Sequence, residues 1–292
     1  MAMAVVSAPG KINLTLDILG RREDGYHEME MIMHAVSLEN TVYLTKQEKA
    51  GIRLACSNPA VPTGEKNLAY RAALAFFNAW GHCFGLDIRV EKRVPMEAGM
   101  AGGSADAAGV LAGLNELTGS PFSLEELCQI GLTLGADIPF CLHGGAALVQ
   151  GIGEKITPLA PLENGWFVIA KPPQGVKTAG CFAAYDALDC VRHPHTPQAL
   201  EAMQKQDLAA LGPLFENVLE QAVDLPVVGE IRESMLKNGA LGSRMTGSGS
   251  AVFGLFTDKN PALRCIRRMY RFGGSFFLAR PVSHGAKVLY QG

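Results

Sequence analysis

The sequence predicts an α+β fold built as two segregated two-layer domains, and three observations carry that prediction. Strand-like alternation and helix-like spacing fall in separate runs, not in a regular strand–helix–strand series. Turn and cap residues bracket those runs. Between Gly151 and Glu163 the composition shifts toward Gly, Pro and polar residues, which sets the predicted division into residues 1–155 and 156–292.

Each element follows from local chemistry. Ile12, Leu14, Leu16 and Ile18 alternate with Lys11, Asn13, Thr15 and Asp17, the pattern of a half-buried strand with one apolar face and one polar working face. Asp24-Gly25 signals a turn, and Met29, Met31 and Met33 mark a second strand. Asn67 is placed to cap a helix that runs through Arg71 to about Trp80. Leu86, Ile88 and Val90 alternate with Asp87, Arg89 and Glu91 in a strand that ends before Pro95. An alanine-rich helix follows from about Ser104, with Val110, Leu111, Leu114 and Leu117 at helical spacing, and Thr118-Gly119-Ser120-Pro121 stops it. Ser123 and Glu126 form a capping box for the next helix, which Gly135 closes. A strand is expected from Ala146 to Val149. The second half reads as a strand over 166–170, several helices between Gly180 and Lys237, a strand over 251–256, a helix after Pro261 and a strand over 275–282.

Composition excludes several classes of function. Of 292 residues, 48% are apolar, ample for two cores. A net charge of -2, from 26 basic and 28 acidic side chains, argues against a chain that coats nucleic acid or an acidic membrane. It leaves room for one small anion, which needs only a local cluster of donors. The cysteines (Cys56, Cys83, Cys128, Cys141, Cys181, Cys190, Cys265) are odd in number and form no C-x-x-C pair. Neither a disulfide framework nor a zinc ribbon is expected, and a reducing compartment is. The chain start lacks the order of a signal peptide, and no apolar run approaches the ~20 residues that cross a bilayer. A soluble cytoplasmic protein is the expectation.

The most informative segment is Pro95-Met96-Glu97-Ala98-Gly99-Met100-Ala101-Gly102-Gly103-Ser104-Ala105, entered by a strand and left by a helix. Glycines permit positive φ and let a ligand reach the bare backbone. The first turn of the following helix presents unpaired N–H groups and a partial positive charge. Read alone, the segment is either a phosphate cradle or a tight strand-to-helix turn; its length exceeds what a turn requires, which favours the cradle. The Walker pattern, G-x-G-x-x-G, the protein-kinase triplets and the G-x-S-x-G elbow are all absent.

In this loop the sequence resembles the GHMP kinases, whose signature is P-x-x-x-G-[LM]-[GA]-[GS]-S-[SA]-[AD]. Two further segments match that family in the family's order, Ala8-Pro9-Gly10-Lys11-Ile12-Asn13-Leu14 and Arg244-Met245-Thr246-Gly247-Ser248-Gly249-Ser250-Ala251-Val252-Phe253. Ala105 stands where many members carry a second serine, and Glu97 and Met100 where small residues or leucine are frequent; none of these choices removes a backbone N–H. The resemblance implies an N-terminal ATP-binding α+β domain and a C-terminal ferredoxin-like domain, with the site between them. Asp-Gly-Tyr-His at 24–27 and Gly-Ala-Asp-Ile-Pro at 135–139 resemble the members that act on a cytidine diphosphate-linked alcohol. The implied reaction moves the γ-phosphoryl group of ATP to the 2-hydroxyl of a diphosphocytidyl-methylerythritol, in the non-mevalonate route to isoprenoid precursors.

The same resemblance assigns roles. Asp137 matches the catalytic aspartate that receives the hydroxyl proton, and Lys11 the catalytic lysine. Read without it, Asp137 is a lone solvated carboxylate at a helix end, with Pro139 ending that helix, and Lys11 is a surface lysine on an edge strand. Pro95 to Ala105 would hold the nucleotide phosphates, with Ser104 meeting phosphate or metal, capping the helix, or both. Thr246, Gly247, Ser248 and Gly249 would lie against the phosphates from the other domain; read without the resemblance, they are a hairpin turn. Asn67 would lie near the adenosine, although a helix N-cap explains it as well. Asn13, Tyr26, His27 and Phe182 are the implied substrate-binding residues; for Phe182 core packing is an equal reading. No side-chain metal cluster is visible, so Mg2+ should arrive with ATP. The expected state is a monomer or weak homodimer, without nucleic-acid or membrane partners. Another GHMP alcohol kinase and a non-catalytic nucleotide-binding protein remain open; Asp-Gly-Tyr-His disfavours the first, and the presence of both Lys11 and Asp137 the second.

Overall fold

The structure is a computed structural model and describes residues 2–292. Strands β1 (Met3–Arg21) and β2 (His27–Gln47) form a long antiparallel hairpin, closed by a turn in which Asp24 Oδ1 accepts from the Tyr26 amide at 3.1 Å. The predicted alternation holds only as far as Leu14. A register shift between Asn13 and Thr15 inserts one residue opposite β2, and the two sides of the strand exchange. Ile12 and Leu14 therefore pack with Ile32 and Val36 in one core, whereas Leu16 and Ile18 join Met31 and Met33 in another. The expected polar face is not solvated either: Lys11, Asn13, Thr15 and Asp17 are all at most 6% exposed.

Strands β3 (Ile52–Cys56), β4 (Gly85–Glu91), β5 (Ala146–Gly151) and β6 (Lys155–Leu159) extend this hairpin into one sheet. Helices α1 (Leu68–Trp80), α2 (Gly102–Leu117), α3 (Leu124–Leu132) and α4 (Ile138–His143) supply the second layer. Ala72, Phe76, Ala108 and Leu111 from the helices pack on Val42, Leu44 and Ile88 from the sheet. Asn67 caps α1 as expected, its Oδ1 accepting from the Ala69 amide at 2.8 Å, and Gly81 ends it at φ 76°. The Ser123–Glu126 capping box of α3 is present in both directions.

Two helix starts differ from the sequence reading. Helix α2 begins at Gly102, two residues before Ser104, because Ala101 takes the left-handed N-cap conformation (φ 57°, ψ 29°). Ser104 is thus the third residue of the helix, not its cap. Helix α3 ends at Leu132, and Pro139 does not stop it but lies in the first turn of α4, where its missing N–H costs no hydrogen bond. Asp137 is accordingly the N-cap of α4, not the tail of the preceding helix.

The second unit comprises β7 (Trp166–Lys171), α5 (Thr178–Tyr185), α6 (Thr196–Gln204), α7 (Leu208–Leu211), β8 (Glu216–Asn217), α8 (Pro226–Lys237), β9 (Gly242–Met245), β10 (Val252–Phe256), α9 (Lys259–Met269) and β11 (Ser275–Ala279). Its antiparallel sheet has the order β11-β7-β10-β9, with helices between β7 and β9 and between β10 and β11; this is the ferredoxin-like arrangement. The division differs from the expected one at residue 155. The first sheet continues to Leu159, and β12 (Lys287–Gln291) returns to pair with β1, placing Val288 opposite Val6. Strand β8 also pairs with β1, at Thr15 and Leu16. Both crossings between the units meet β2 side by side. On the way out, the Leu162 amide donates to His34 Nε2 at 2.9 Å; on the way back, the Ser37 amide donates to the Arg280 carbonyl at 2.9 Å and the Val282 amide to the Ala35 carbonyl at 3.1 Å. Among the described residues no helix is long and apolar enough to cross a membrane.

Candidate active site

A cavity of ≈ 620 Å³ opens between the two units, and two glycine-rich loops form part of its wall. The first joins β4 to α2. No side chain caps α2, and the first intrahelical bond of its start runs from the Ala105 amide to the Ala101 carbonyl at 2.8 Å. The amides of Gly102, Gly103 and Ser104 precede it and lack intrahelical acceptors, and all three residues line the cavity. The positive end of the helix dipole lies at the same place. The Ser104 hydroxyl forms no hydrogen bond among the described residues.

The second loop, Thr246 to Gly249, comes from the other unit and packs backbone to backbone on the first. Gly99 (φ 67°) has no room for a side chain: a Cβ there would lie 1.9 Å from the Thr246 carbonyl oxygen. Gly247 (φ 55°) likewise faces the Gly99 carbonyl oxygen, 2.7 Å from where its own Cβ would be. Thr246 Oγ1 accepts from the Asn13 amide at 3.0 Å, tying the second loop to β1. Buried side chains fix this loop from behind. Asn217 Nδ2 donates to the carbonyls of Met245 (2.9 Å) and Gly247 (2.8 Å), and Glu220 Oε2 accepts from the Met245 amide (2.7 Å). Arg232 and Arg244 in turn pair with Glu220. Neither Asn217 nor Glu220 stands in a motif that the sequence analysis singled out; an Asn that is fully buried announces itself only in three dimensions.

Lys11 and Asp137 both line the cavity, from β1 and from the start of α4. Lys11 is 4% exposed, and its Nζ donates to Asn13 Oδ1 at 2.6 Å. The half-buried Asp137 makes no side-chain cap bond, so its carboxylate is not consumed by the helix it begins. No ion pair within 4 Å joins the two among the described residues, yet their charges share one neighbourhood. The thiol of Cys141, one turn along α4, is pushed far above its ordinary range by burial first and by the Asp137 carboxylate second, against an opposing pull from Lys11. Asn13 is itself fully buried and stands behind Lys11, outside the cavity lining.

The far end of the cavity is aromatic. Phe182 lines it, and the His27 ring stacks on Phe182 with centroids 5.0 Å apart and planes at 26°. His27 Nε2 lies 2.7 Å from Asp186 Oδ1, and a carboxylate acceptor there requires the proton on Nε2. Thr178 and Ser248 share a 3.0 Å hydroxyl contact beside this end. Tyr26 is 61% exposed and does not reach the cavity wall. Asn67 does reach it, but both ends of its side chain are engaged, Oδ1 by α1 and Nδ2 by the Pro62 carbonyl at 2.7 Å. Among the described residues no group of three or more His, Cys, Asp or Glu side chains could hold a metal ion.

The site can therefore hold a polyanion at one end, an aromatic base at the other, and a carboxylate and an ammonium between them. Comparison with known proteins identifies the family. Residues 67–145 match the GHMP kinases N-terminal domain, and residues 199–275 the GHMP kinases C-terminal domain. The chain is 42% identical over 260 residues to a 4-diphosphocytidyl-2-C-methyl-D-erythritol kinase of Clostridium novyi (strain NT), spanning 88% of this chain and 92% of that one. It is 42% identical over 288 residues to the enzyme of the same name from Carboxydothermus hydrogenoformans, spanning 98% and 99%. A crystal structure of 4-(cytidine 5'-diphospho)-2C-methyl-D-erythritol kinase superposes with a TM-score of 0.81 at 34% identity, covering 96% of this chain and 100% of that one. The chain belongs to the GHMP kinases, and within them to the family of the 4-diphosphocytidyl-2-C-methyl-D-erythritol kinases.

Proposed function

We propose that this kinase transfers the γ-phosphoryl group of ATP to the 2-hydroxyl of 4-diphosphocytidyl-2-C-methyl-D-erythritol, giving the 2-phosphate and ADP in the non-mevalonate route to isoprenoid precursors. The observation that carries the reading is the convergence of the α2 start, Lys11, Asp137 and Phe182 on one cavity. The names of relatives about 40% identical over most of the chain support the choice of alcohol.

The residues divide the work. The amides at Gly102 to Ser104, with the loop from Pro95 to Met100, bind the phosphates, and Thr246 to Gly249 close on them from the other unit. Asn67 stands at the nucleoside side of that loop. Asp137 receives the proton of the attacking hydroxyl. Lys11, oriented by Asn13, places a positive charge beside the reacting oxygens and stabilises charge on the transferring group. Phe182 stacks on the cytosine, and His27, with its proton held toward Asp186, leaves Nδ1 as an acceptor for the base edge. The exposed Tyr26 reaches the base only if the 22–26 turn folds inward. The unpartnered Ser104 hydroxyl fits Mg2+ carried in by the nucleotide, and the ion would offset phosphate charge. The uncombined cysteines support a reducing, cytoplasmic setting, and a monomer or weak homodimer suffices because one chain supplies every group.

The test is an ADP-release assay on a panel of alcohols. Turnover is expected with the cytidine-linked alcohol and not with homoserine or mevalonate; equal turnover on all three would remove the specificity claim. Asp137→Ala should keep ATP affinity and lose roughly 10²–10⁴ in kcat. Unchanged turnover in that variant would take Asp137 out of the mechanism.

A further inference from the structure

Under the phosphate-binding loop, at the edge of the cavity, lies a nearly buried polar group to which the proposed chemistry gives no role; Lys92 and Asp106 line the cavity wall, and only Asp106 stands in a family motif, at the last position of the loop signature. It consists of Asn40 on β2, Lys92 just after β4, and Asp106 on α2. Asn40 is fully buried, and the Lys92 and Asp106 side chains are each 6% exposed. Lys92 Nζ donates to Asp106 Oδ2 at 2.7 Å and to the Gly102 carbonyl at 3.0 Å. Asn40 Nδ2 donates to Asp106 Oδ1 at 2.7 Å and to the same Gly102 carbonyl at 3.2 Å. Asn40 Oδ1 accepts from the amides of Arg93 and Val94 at 2.8 and 2.9 Å.

The connectivity is what matters. Arg93 and Val94 are the last residues before the glycine-rich loop, and Gly102 is the first residue of the helix after it. One asparagine therefore holds both ends of the loop, and the lysine and aspartate brace the far end a second time. Gly102 is packed on this brace: a Cβ there would lie 3.1 Å from Val94 Cγ1 and 3.3 Å from Lys92 Nζ. Burial pushes the Asp106 carboxyl pKa up, and the adjacent Lys92 ammonium and the Asn40 amide offset that shift only in part. A buried pair of this kind is not a general source of stability, because the desolvation of two charges offsets most of their attraction. Its use must be sought in what it positions.

We propose that Asn40, Lys92 and Asp106 form a clamp that fixes the two ends of the phosphate-binding loop, so that the amides of Gly102 to Ser104 face the cavity before the nucleotide arrives. The three are positioning residues: although Lys92 and Asp106 border the cavity, their polar atoms are engaged with one another and with the Gly102 carbonyl, so they act on ATP through the backbone they hold. A loop so fixed loses less conformational freedom on binding. The clamp should therefore appear in ATP affinity and not in affinity for the alcohol. This inference rests on the reading that the loop binds the ATP phosphates.

The experiment compares wild type, Lys92→Met, Asp106→Asn and the double variant Lys92→Met/Asp106→Asn. Calorimetry measures binding of a Mg-bound non-hydrolysable ATP analogue and, separately, of the cytidine-linked alcohol; thermal unfolding reports stability. Lys92→Met leaves the Asp106 charge buried and unpaired, so it loses both stability and nucleotide affinity. The double variant is neutral and nearly isosteric. It should regain most of the thermal stability, yet bind the ATP analogue about tenfold or more weakly, the weight of one lost charge-assisted hydrogen bond. Asp106→Asn alone should weaken it about threefold, and the alcohol should bind all folded variants within about twofold of wild type. Wild-type ATP affinity in the double variant overturns the clamp, as does an equal loss for both ligands. Where Lys92→Met does not fold, the double variant decides; where that also fails, Asp106→Asn decides, and wild-type ATP affinity in it overturns the clamp. A wild-type chain that binds the alcohol but no ATP overturns the loop assignment itself, and the clamp with it.

Discussion

Replacing Gly99 by alanine tests the contact between the two glycine-rich loops directly. The residue has φ 67°, and its Cβ would lie 1.9 Å from the Thr246 carbonyl oxygen and 3.0 Å from the Gly249 nitrogen. Holding a non-glycine residue in the left-handed region costs about 1 kcal/mol. The clash is with backbone, so no side chain can swing away, and the loops must part by about 1 Å or more. Parting them breaks the 3.3 Å bond from Thr246 Oγ1 to the Gly99 carbonyl and loosens the 3.0 Å bond from the Asn13 amide to Thr246 Oγ1. Each is worth about 1 kcal/mol net. Gly99→Ala should therefore lose about 3 kcal/mol in urea denaturation, with an unchanged slope. The same displacement turns one loop away from the phosphates, so KM for Mg-ATP should rise about tenfold or more, while the cytidine-linked alcohol binds as before. A variant within about 0.5 kcal/mol of wild type, with unaltered KM for ATP, would refute the packing of these loops.

Two further outcomes follow from the site and from β2. Phe182→Ala should raise KM for the cytidine-linked alcohol by about 5- to 150-fold, the range of one base–aromatic stack, and leave KM for ATP in place; steady-state kinetics with each substrate varied in turn checks it, and an unmoved KM for the alcohol means that Phe182 only packs. His34 is fully buried, donates from Nδ1 to the Ala35 carbonyl at 2.8 Å, accepts at Nε2, and has its pKa lowered from 6.5 to about 4, chiefly by burial. The unfolded chain binds a proton that the folded one refuses, so the His34 contribution is complete above pH 6.5 and is lost as pH falls toward about 4, on the order of 3 kcal/mol in all. Urea midpoints between pH 7.5 and 4.5 should fall more steeply in wild type than in His34→Gln; parallel slopes would show that another group governs the acid limb.

Local chemistry made a good part of this molecule legible. The Asn67 cap, the Ser123–Glu126 box and the Thr118-Gly119 stop are short-range devices, and each stands where the sequence put it. The glycine-rich loop was legible for the same reason, since its conformational demands lie within a few residues. What escaped were features set by partners far along the chain. The bulge at Leu14 exists because β1 must match β2, and nothing between Ile12 and Ile18 announces it. Helix α2 starts two residues before Ser104 because Ala101, a residue seldom found left-handed, takes the cap. Pro139 carries the same restriction at either end of a helix, and only the chain beyond it shows that a helix begins there. Asn40 meets Asp106 across 66 residues and Asn13 meets Thr246 across 233, separations at which a single sequence carries no pairing signal.

The path of the chain also dictates an order of assembly. Strand β12 can complete the edge of the first sheet only when the stretch that leaves β2 near His34 has come back to Ala35 and Ser37. Closing a flexible loop of roughly a hundred residues costs on the order of 4 kcal/mol in chain entropy. A five-residue, mostly exposed strand cannot meet that cost unaided. Once the β7–β11 sheet has folded, its own termini stand together and the closure is already made. The last strand is therefore a latch that shuts late, and its amides should be the slowest to gain protection in a refolding hydrogen-exchange experiment.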